Sequence, residues 1–314
     1  MSGIALKSPY PWFGGKSTVA AEVWRRFGDC PNYVEPFFGS GAVLLARPHE
    51  PKIETINDKD MFVANFWRAV RSSPDEVARY ADWPVNEADL EARHAWLVTD
   101  GAARLAANMG DPEWSDPQIA GWWCWGLCSW IGSGWCSGGG PWSWASGAGW
   151  AKADMEGINR QRPHLGNAGQ GINEWMCALA ERLRRVRVCC GDWARVCGPS
   201  VTHTHGLTSV FLDPPYSAAA NRTGGLYATD SLSVAHDVAA WARENGGNPK
   251  MRIALCGYDT EHAMPDDWSA WAWRAKGGYG SQGAGVGREN AKRETIWFSP
   301  HCLNGRIGLF GDAA

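Results

Sequence analysis

The sequence predicts an α/β fold in which strands and helices alternate at both ends of the chain, around a long central segment without strands. Short apolar runs, typical of buried parallel strands, alternate with helical patterns before residue 76 and again from about residue 172. Several of these runs end in an aspartate, and the carboxyl ends of parallel strands meet at one edge of a sheet. Residues 76–173 contain only helical patches, which indicates an inserted module.

The composition is that of a globular protein. The 314 residues are 45% hydrophobic and 20% charged, enough to bury a large core. The net charge of -3 does not favour nucleic-acid binding as a whole, so such a site would need local clusters of Lys and Arg. No run approaches the ~20 apolar residues of a membrane span, and the amino terminus lacks a signal pattern. We therefore expect a cytoplasmic protein without a membrane partner.

Cysteine and tryptophan are both frequent. The ten cysteines are scattered and form no Cys-x-x-Cys pair, so we expect buried free thiols rather than disulfides or a metal site. Many of the 21 tryptophans fall between Trp114 and Trp150, which indicates a locally specialised segment.

The first predicted element is a helix at residues 19–27, preceded by aromatic residues and glycines. The run Gly14-Gly15-Lys16-Ser17 is similar to a P-loop, but the first glycine of that motif would fall at Tyr10, and no strand precedes it. We instead expect the glycines to let the backbone approach a ligand, with Trp12 and Lys16 beside it.

A strand, a glycine turn and a helix follow. Residues 32–36 and 53–58 are predicted strands, and Phe37-Phe38-Gly39-Ser40-Gly41 leads from the first strand into a short helix. This arrangement brings backbone amides close to a nucleotide-like ligand. Asp58 lies about 20 residues after the glycines, where an acid accepts hydrogen bonds from ribose hydroxyls. The same residue also suits the N-cap of a helix at 61–70, and both interpretations stay open.

The central segment contains helical patches at 85–98 and 101–109, followed by the Trp- and Gly-rich residues 121–150. The tryptophans could stack on unpaired bases or enter a DNA groove. They could equally form a compact, self-packing loop, which we favour. Arg160 and Arg162 lie just beyond and offer donors for phosphates and base edges; a solvated charged face is the alternative.

Strands and helices alternate again in the last part of the chain. A helix is predicted at 172–185, and strands are predicted at 186–192, 207–212, 252–256, 271–275 and 295–298. Asp192 ends the first of these strands. Between the last two, a glycine-rich run carries Lys276, Arg288 and Lys292. Such a run suits a loop along DNA phosphates, although an ordinary long hairpin connection is the alternative.

The strand at 207–212 ends in Asp213-Pro214-Pro215-Tyr216. Prolines lack an N–H group and cannot continue a sheet ladder, so the chain leaves the sheet at Asp213. The Asp213 carboxylate, the Pro214 carbonyl and the Tyr216 ring together suit a planar group with an exocyclic amine, such as a nucleobase. An ordinary Pro-Pro turn with a surface aspartate is the alternative.

Four motifs, in this order, resemble the Dam-like (D12 class) adenine-N6 DNA methyltransferases: residues 12–16, residues 35–41, Asn57-Asp58 and residues 213–216. The resemblance implies a Rossmann-like S-adenosylmethionine-dependent methyltransferase fold with a mixed, mostly parallel sheet. Residues 1–75 and 174–314 would form the catalytic domain, and 76–173 an inserted target-recognition module. The Trp- and Gly-rich insert is similar to a divergent, phage-type version and departs from the host-type enzymes, so the resemblance does not imply a target sequence.

The resemblance also implies roles for individual residues. Residues that would bind the cofactor S-adenosylmethionine are Trp12, Lys16, Phe37, Gly39, Gly41, Asp58, Asp192 and Asp213. Asp58 would accept hydrogen bonds from the ribose, and Asp192 would lie near the cofactor adenine. Asp213 and the Pro214 carbonyl would accept hydrogen bonds from the target amine, with Tyr216 stacked on the base. We expect no metal.

The expected reaction is methyl transfer to adenine N6 of a flipped base in double-stranded DNA. Two acceptors on the amine hydrogens would favour a tetrahedral nitrogen and free its lone pair to attack the sulfonium methyl. Stacking on Tyr216 would offset part of the cost of flipping, a few kcal/mol. Cytosine-N4 methylation is one alternative, since the same acceptors could hold that amine. A catalytically inactive DNA-binding module of the same fold is another. We expect a monomer, and the family style suggests a phage or restriction-modification role in a bacterial host.

Overall fold

The protein is described by a computed structural model over residues 6–12, 14–130, 135–136, 144–145, 149–150, 171–215, 233–273 and 294–303. The helices in these ranges are α1 Ala20–Phe27, α2 Ala42–Leu45, α3 Met61–Ser72, α4 Pro74–Ala81, α5 Glu87–Trp96, α6 Ala102–Asn108, α7 Pro117–Ser129, α8 Ile172–Leu183 and α9 Val234–Gly246. The strands are β1 Asn32–Glu35, β2 Ile53–Asp58, β3 Trp144–Ala145, β4 Gly149–Trp150, β5 Val186–Cys190, β6 Thr208–Leu212, β7 Met251–Tyr258, β8 Ser269–Ala272 and β9 Glu294–Phe298. Within the same ranges, no helix has the length and apolar character needed to cross a membrane.

Seven strands form one mixed sheet in the order β5, β2, β1, β6, β7, β9, β8. The first five strands in this order are parallel to one another, and β9 is antiparallel to both of its neighbours. The prediction of a mixed, mostly parallel sheet is therefore confirmed. On one side of β1 the chain adds β2 and then β5. On the other side of β1 it then adds β6 and β7. The carboxyl ends of β1 and β6 consequently border the switch point where open α/β sheets bind ligands.

The two strands at the switch point are buried along their whole length. They pair in register, with Asn32 beside Thr208 and Val34 beside Val210. Full burial on both faces explains why β6 is an apolar run without alternation. The last predicted strand but one is displaced, because residues 271–275 were expected and β8 lies at Ser269–Ala272.

Helices α4, α6 and α7 pack against α3 or α8 of the sheet-bearing part, and α5 packs against α7. The loop expected from residue 121 is wrong for its first part, since Gly121 to Ser129 belong to α7. Self-packing is nevertheless observed, because Trp123 and Trp125 are buried. At Gly121 a Cβ atom would lie 2.4 Å from the Tyr80 Cβ, so glycine lets α7 approach α4 closely.

One hydrophobic cluster extends through both parts of the chain and includes Trp24, Trp67, Trp123 and Trp175. All ten cysteines are free and six of them are buried, in agreement with the expected buried thiols. Over the described ranges, no group of His, Cys, Asp or Glu is arranged to hold a metal ion.

Candidate active site

A cavity lies at the carboxyl edge of the sheet, where β1, β2, β5 and β6 end. The predicted residues that line it are Trp12, Lys16, Phe37, Gly39, Asp58, Asp192 and Asp213. Motifs that are far apart in the sequence therefore meet at the switch point of the sheet. Pro214 is buried directly after Asp213, and Pro215 lines the cavity.

Other predicted residues lie outside the described ranges. These are Tyr216, Arg160, Arg162, Lys276, Arg288 and Lys292. Their roles stay predictions from the sequence.

The glycine turn between β1 and α2 requires its glycines for two reasons. Gly39 has φ 47° and Gly41 has φ 71°, in the left-handed region that side chains disfavour. In addition, a Cβ on Gly39 would lie 2.4 Å from Trp12 Nε1, and one on Gly41 would lie 2.7 Å from the Phe38 ring. The turn is thus packed under aromatic rings, with Gly41 forming the start of α2.

Asp58 connects the end of β2 to this turn. Its Oδ2 accepts a hydrogen bond from the Gly39 N–H at 2.9 Å, and its Oδ1 accepts one from the Asp60 N–H at 2.9 Å. The N-cap of α3 is Asp60, whose side chain accepts from the Phe62 N–H at 2.8 Å. The alternative that Asp58 caps this helix is therefore wrong.

Two neighbouring carboxyls in the cavity have raised pKa values. Burial raises the pKa of Asp58 to about 6, although backbone N–H groups oppose the shift. Burial, together with the charge of Asp58, raises the pKa of Asp60 to about 7. Both acids consequently titrate near neutral pH.

Asp213 is paired with Lys16. The distance from Lys16 Nζ to Asp213 Oδ2 is 2.8 Å, and the same ammonium donates to the Gly14 carbonyl at 2.8 Å. Burial raises the pKa of Asp213, an effect that Lys16 and the Cys256 thiol oppose. Burial acts to lower the Lys16 pKa, but the charge of Asp213, together with smaller contributions from Cys256 and Glu294, outweighs it and the pKa is raised. Lys16 thus favours the ionised form of the Asp213 carboxyl, which burial disfavours.

Glu35, at the end of β1, is a cavity residue for which the sequence suggested no role. It is 3% exposed and accepts a hydrogen bond from the Tyr33 hydroxyl at 2.8 Å. Burial, with the nearby charge of Asp213, raises its pKa well above the ordinary value. The sequence pattern that indicated Asp58, an acid at the end of a buried strand, could also have indicated Glu35.

Trp193 is a second cavity residue that sequence reasoning missed. Its ring faces that of Phe37 at 6.4 Å between centroids, with an interplanar angle of 28°. Asp192 orients this region, because its Oδ1 accepts from the Ala194 N–H at 3.0 Å and starts a short 3₁₀ turn. The two rings give the cavity a flat apolar wall.

Comparison with known families agrees with this geometry. Residues 12–91 match the sequence model of the D12 class N6 adenine-specific DNA methyltransferase family. This part of the chain is therefore similar to the D12 class adenine-specific DNA methyltransferases. The matched region includes Trp12, the glycine turn and Asp58, and it favours adenine over the cytosine-N4 alternative. No curated protein matches the chain.

The match to this family implies S-adenosylmethionine as the methyl donor, and the cavity residues fit that molecule. S-adenosylmethionine carries positive sulfonium and ammonium groups, and the cavity is lined by the carboxyl groups of Asp58, Asp192 and Asp213. The flat aromatic wall suits an adenine ring. The residues that line the cavity therefore match S-adenosylmethionine in charge and in shape.

Proposed function

We propose that the cavity binds S-adenosylmethionine and one flipped adenine of duplex DNA side by side, and that the methyl group passes to adenine N6. The observation that supports this most strongly is the position of Asp213. It ends β6 in the same cavity as the glycine turn and Asp58, with its carboxylate held by Lys16 at 2.8 Å. When bound, S-adenosylmethionine supplies an electrophilic sulfonium methyl.

The β1 and β2 side of the cavity would hold the cofactor. Asp58 would accept hydrogen bonds from the ribose hydroxyls through lone pairs that its two backbone partners leave free. Phe37 and Trp193 would contact the faces or edge of the adenine, with Asp192 near its amino group. The glycine turn would pass beneath the methionine part.

The β6 side would hold the target base. Asp213 and the Pro214 carbonyl would accept the two hydrogens of N6, and Tyr216 would stack on the ring. Acceptance requires an ionised Asp213, and the ammonium of Lys16 favours that form against burial. Lys16 would therefore orient the Asp213 carboxylate and also favour its ionised form.

The inserted segment 76–173 would read the DNA target. With a net charge of -3, the protein needs local cations on the DNA, and Arg160, Arg162, Lys276, Arg288 and Lys292 are proposed for the phosphates. The methyltransferase would act as a monomer on one base at a time, in the cytoplasm of a bacterial host and in a phage-type modification role.

The proposal is tested by sequencing modified bases in a host that lacks adenine methylation and expresses this chain. We expect N6-methyladenine within one sequence context, and none with the Asp213→Ala variant, because the amine then loses an acceptor. Asp266→Ala, which removes an exposed loop acid, should preserve the modification.

Two outcomes would contradict the proposal. One is N4-methylcytosine in place of N6-methyladenine. The other is full methylation by the Asp213→Ala variant, which would show that the acceptor lies elsewhere.

A further inference from the structure

The carbonyl of Gly39 accepts two side-chain hydrogen bonds. The Tyr10 hydroxyl donates to it at 2.9 Å, and the Trp67 indole N–H donates to it at 2.9 Å. Both side chains are buried, at 3% and 1% exposure. Since a carbonyl oxygen has two lone pairs, this acceptor is fully used.

These bonds hold Gly39 in the glycine turn between β1 and α2. Gly39 adopts a left-handed φ of 47°. Because glycine populates positive and negative φ values about equally, its own backbone does not favour this conformation over others. Its N–H is bound by Asp58, and its carbonyl is bound by Tyr10 and Trp67. Both peptide groups that flank its Cα are therefore fixed, by side chains from three separate parts of the chain.

Tyr10 also contacts the inserted helices. Its ring lies edge-to-face against Trp123 of α7, with 4.9 Å between centroids, and against Phe66 of α3 at 5.1 Å. Trp123 in turn lies 6.1 Å from Trp12, whose indole covers Gly39. Burial raises the pKa of Tyr10 well above its ordinary value, so its hydroxyl remains a donor at neutral pH.

We propose that Tyr10 and Trp67 are positioning residues for the cofactor: they fix the glycine turn through the Gly39 carbonyl, and Tyr10 ties that turn to α7 through Trp123. The inference rests on the proposed cofactor site. Neither residue touches the cofactor itself, since both lie behind the turn and outside the cavity lining.

The test compares the wild type with Tyr10→Phe, Trp67→Phe and the double variant. Tyr10→Phe removes only the hydroxyl and keeps the ring packed against Trp123. We expect it to weaken binding of S-adenosylhomocysteine, measured by calorimetry, and to raise the KM for S-adenosylmethionine, each roughly three- to tenfold. The kcat at saturating cofactor should stay near the wild-type value. The double variant should bind more weakly than either single variant, because the buried carbonyl then has no donor.

Trp125→Phe is the matched control. It removes a similar indole hydrogen bond, 3.0 Å long, to the Trp83 carbonyl in the inserted helices. We expect it to lower the thermal unfolding temperature without changing cofactor affinity. Wild-type cofactor affinity in Tyr10→Phe, whatever its unfolding temperature, would overturn the inference while leaving the proposed function intact. A wild-type protein that binds no S-adenosylhomocysteine would overturn both.

Discussion

At the scale of single residues, the chemistry of the site depends on how burial and neighbouring charges set the pKa of each carboxyl group. Asp213 and Asp58 both end buried strands, yet their partners differ. Asp213 faces an ammonium at 2.8 Å, whereas Asp58 receives two backbone N–H groups. An ion pair and neutral donors both favour the carboxylate, but the ion pair does so more strongly in a buried site.

Asp58 should make cofactor binding depend on pH. Its pKa of about 6 lies above the ordinary value, so the carboxyl gains a proton as the pH falls through about 6 and accepts hydrogen bonds less well. We expect the affinity for S-adenosylhomocysteine to fall up to tenfold per pH unit below about 6, measured by calorimetry between about pH 8 and about pH 5.

Two variants show which acid is responsible. Asp58→Asn should bind more weakly at neutral pH and lose the step near 6. Asp60→Asn keeps a good N-cap for α3 and should retain that step. An identical pH profile in Asp58→Asn and the wild type would assign the titration to another group.

The same shifts set the sign of the stability change. Asp58 and Asp60 hold their protons more tightly in the folded state than in the unfolded state. Their protonation therefore stabilises the fold, and this contribution to the free energy of unfolding is fully present below the unfolded pKa of about 4. It is lost as the pH rises through about 6 for Asp58 and about 7 for Asp60.

At the scale of secondary-structure elements, a buried ionic cluster joins β2 to its surroundings. Glu54 of β2 is 2% exposed and contacts Arg47 Nη1 at 3.0 Å and Arg182 Nη1 at 2.6 Å. Arg47 follows α2, and Arg182 belongs to α8 and also donates to the Leu44 carbonyl at the end of α2. One acid therefore aligns the helix after the glycine turn with the strand that carries Asp58.

Replacing this acid should destabilise the fold strongly. Glu54→Gln leaves the buried Arg47 side chain and the partly buried Arg182 without their counter-charge, and we expect the free energy of unfolding to fall by about 3–5 kcal/mol in urea titrations. The matched control is Glu76→Gln, which breaks the exposed Glu76–Arg79 pair and should leave stability nearly unchanged. Equal effects of the two substitutions would show that burial of the cluster is unimportant.

At the scale of the whole molecule, helices α4 to α7 and the sheet-bearing part share one hydrophobic cluster. Trp123 of α7 stacks on Phe62 of α3 at 6.3 Å with an interplanar angle of 11°, and it also contacts Tyr10 edge-to-face. Helices α4 to α7 therefore meet the rest of the protein through buried aromatic rings, rather than across the exposed surface that would separate an independent module.

Unfolding should accordingly be cooperative across this contact. We expect the tryptophan fluorescence, which includes Trp67 and Trp123, and the far-UV circular dichroism to change in one coincident transition with denaturant. Added S-adenosylhomocysteine should move both signals to higher denaturant together. Two resolved transitions, only one of which responds to the ligand, would show that α4 to α7 fold separately.

Much of the fold could be predicted because its signals are local. Buried parallel strands are short apolar runs, left-handed turns need glycine, and Asp58, Asp192 and Asp213 each follow such a run. The segment at Gly121 was predicted wrongly, because its glycines and tryptophans favour a loop locally. Burial against α4 overrides that preference in α7.

The sequence by itself determined where most strands lie along the chain, the acids at their ends, the glycine turn and the resemblance to adenine methyltransferases. Only the tertiary structure decided which groups touch. Lys16 lies on Asp213, and Tyr10 and Trp67 meet on the Gly39 carbonyl. The physical reason is that these contacts join side chains far apart in the chain, and they arise from the winding of the sheet and the packing of helices, which no local pattern encodes.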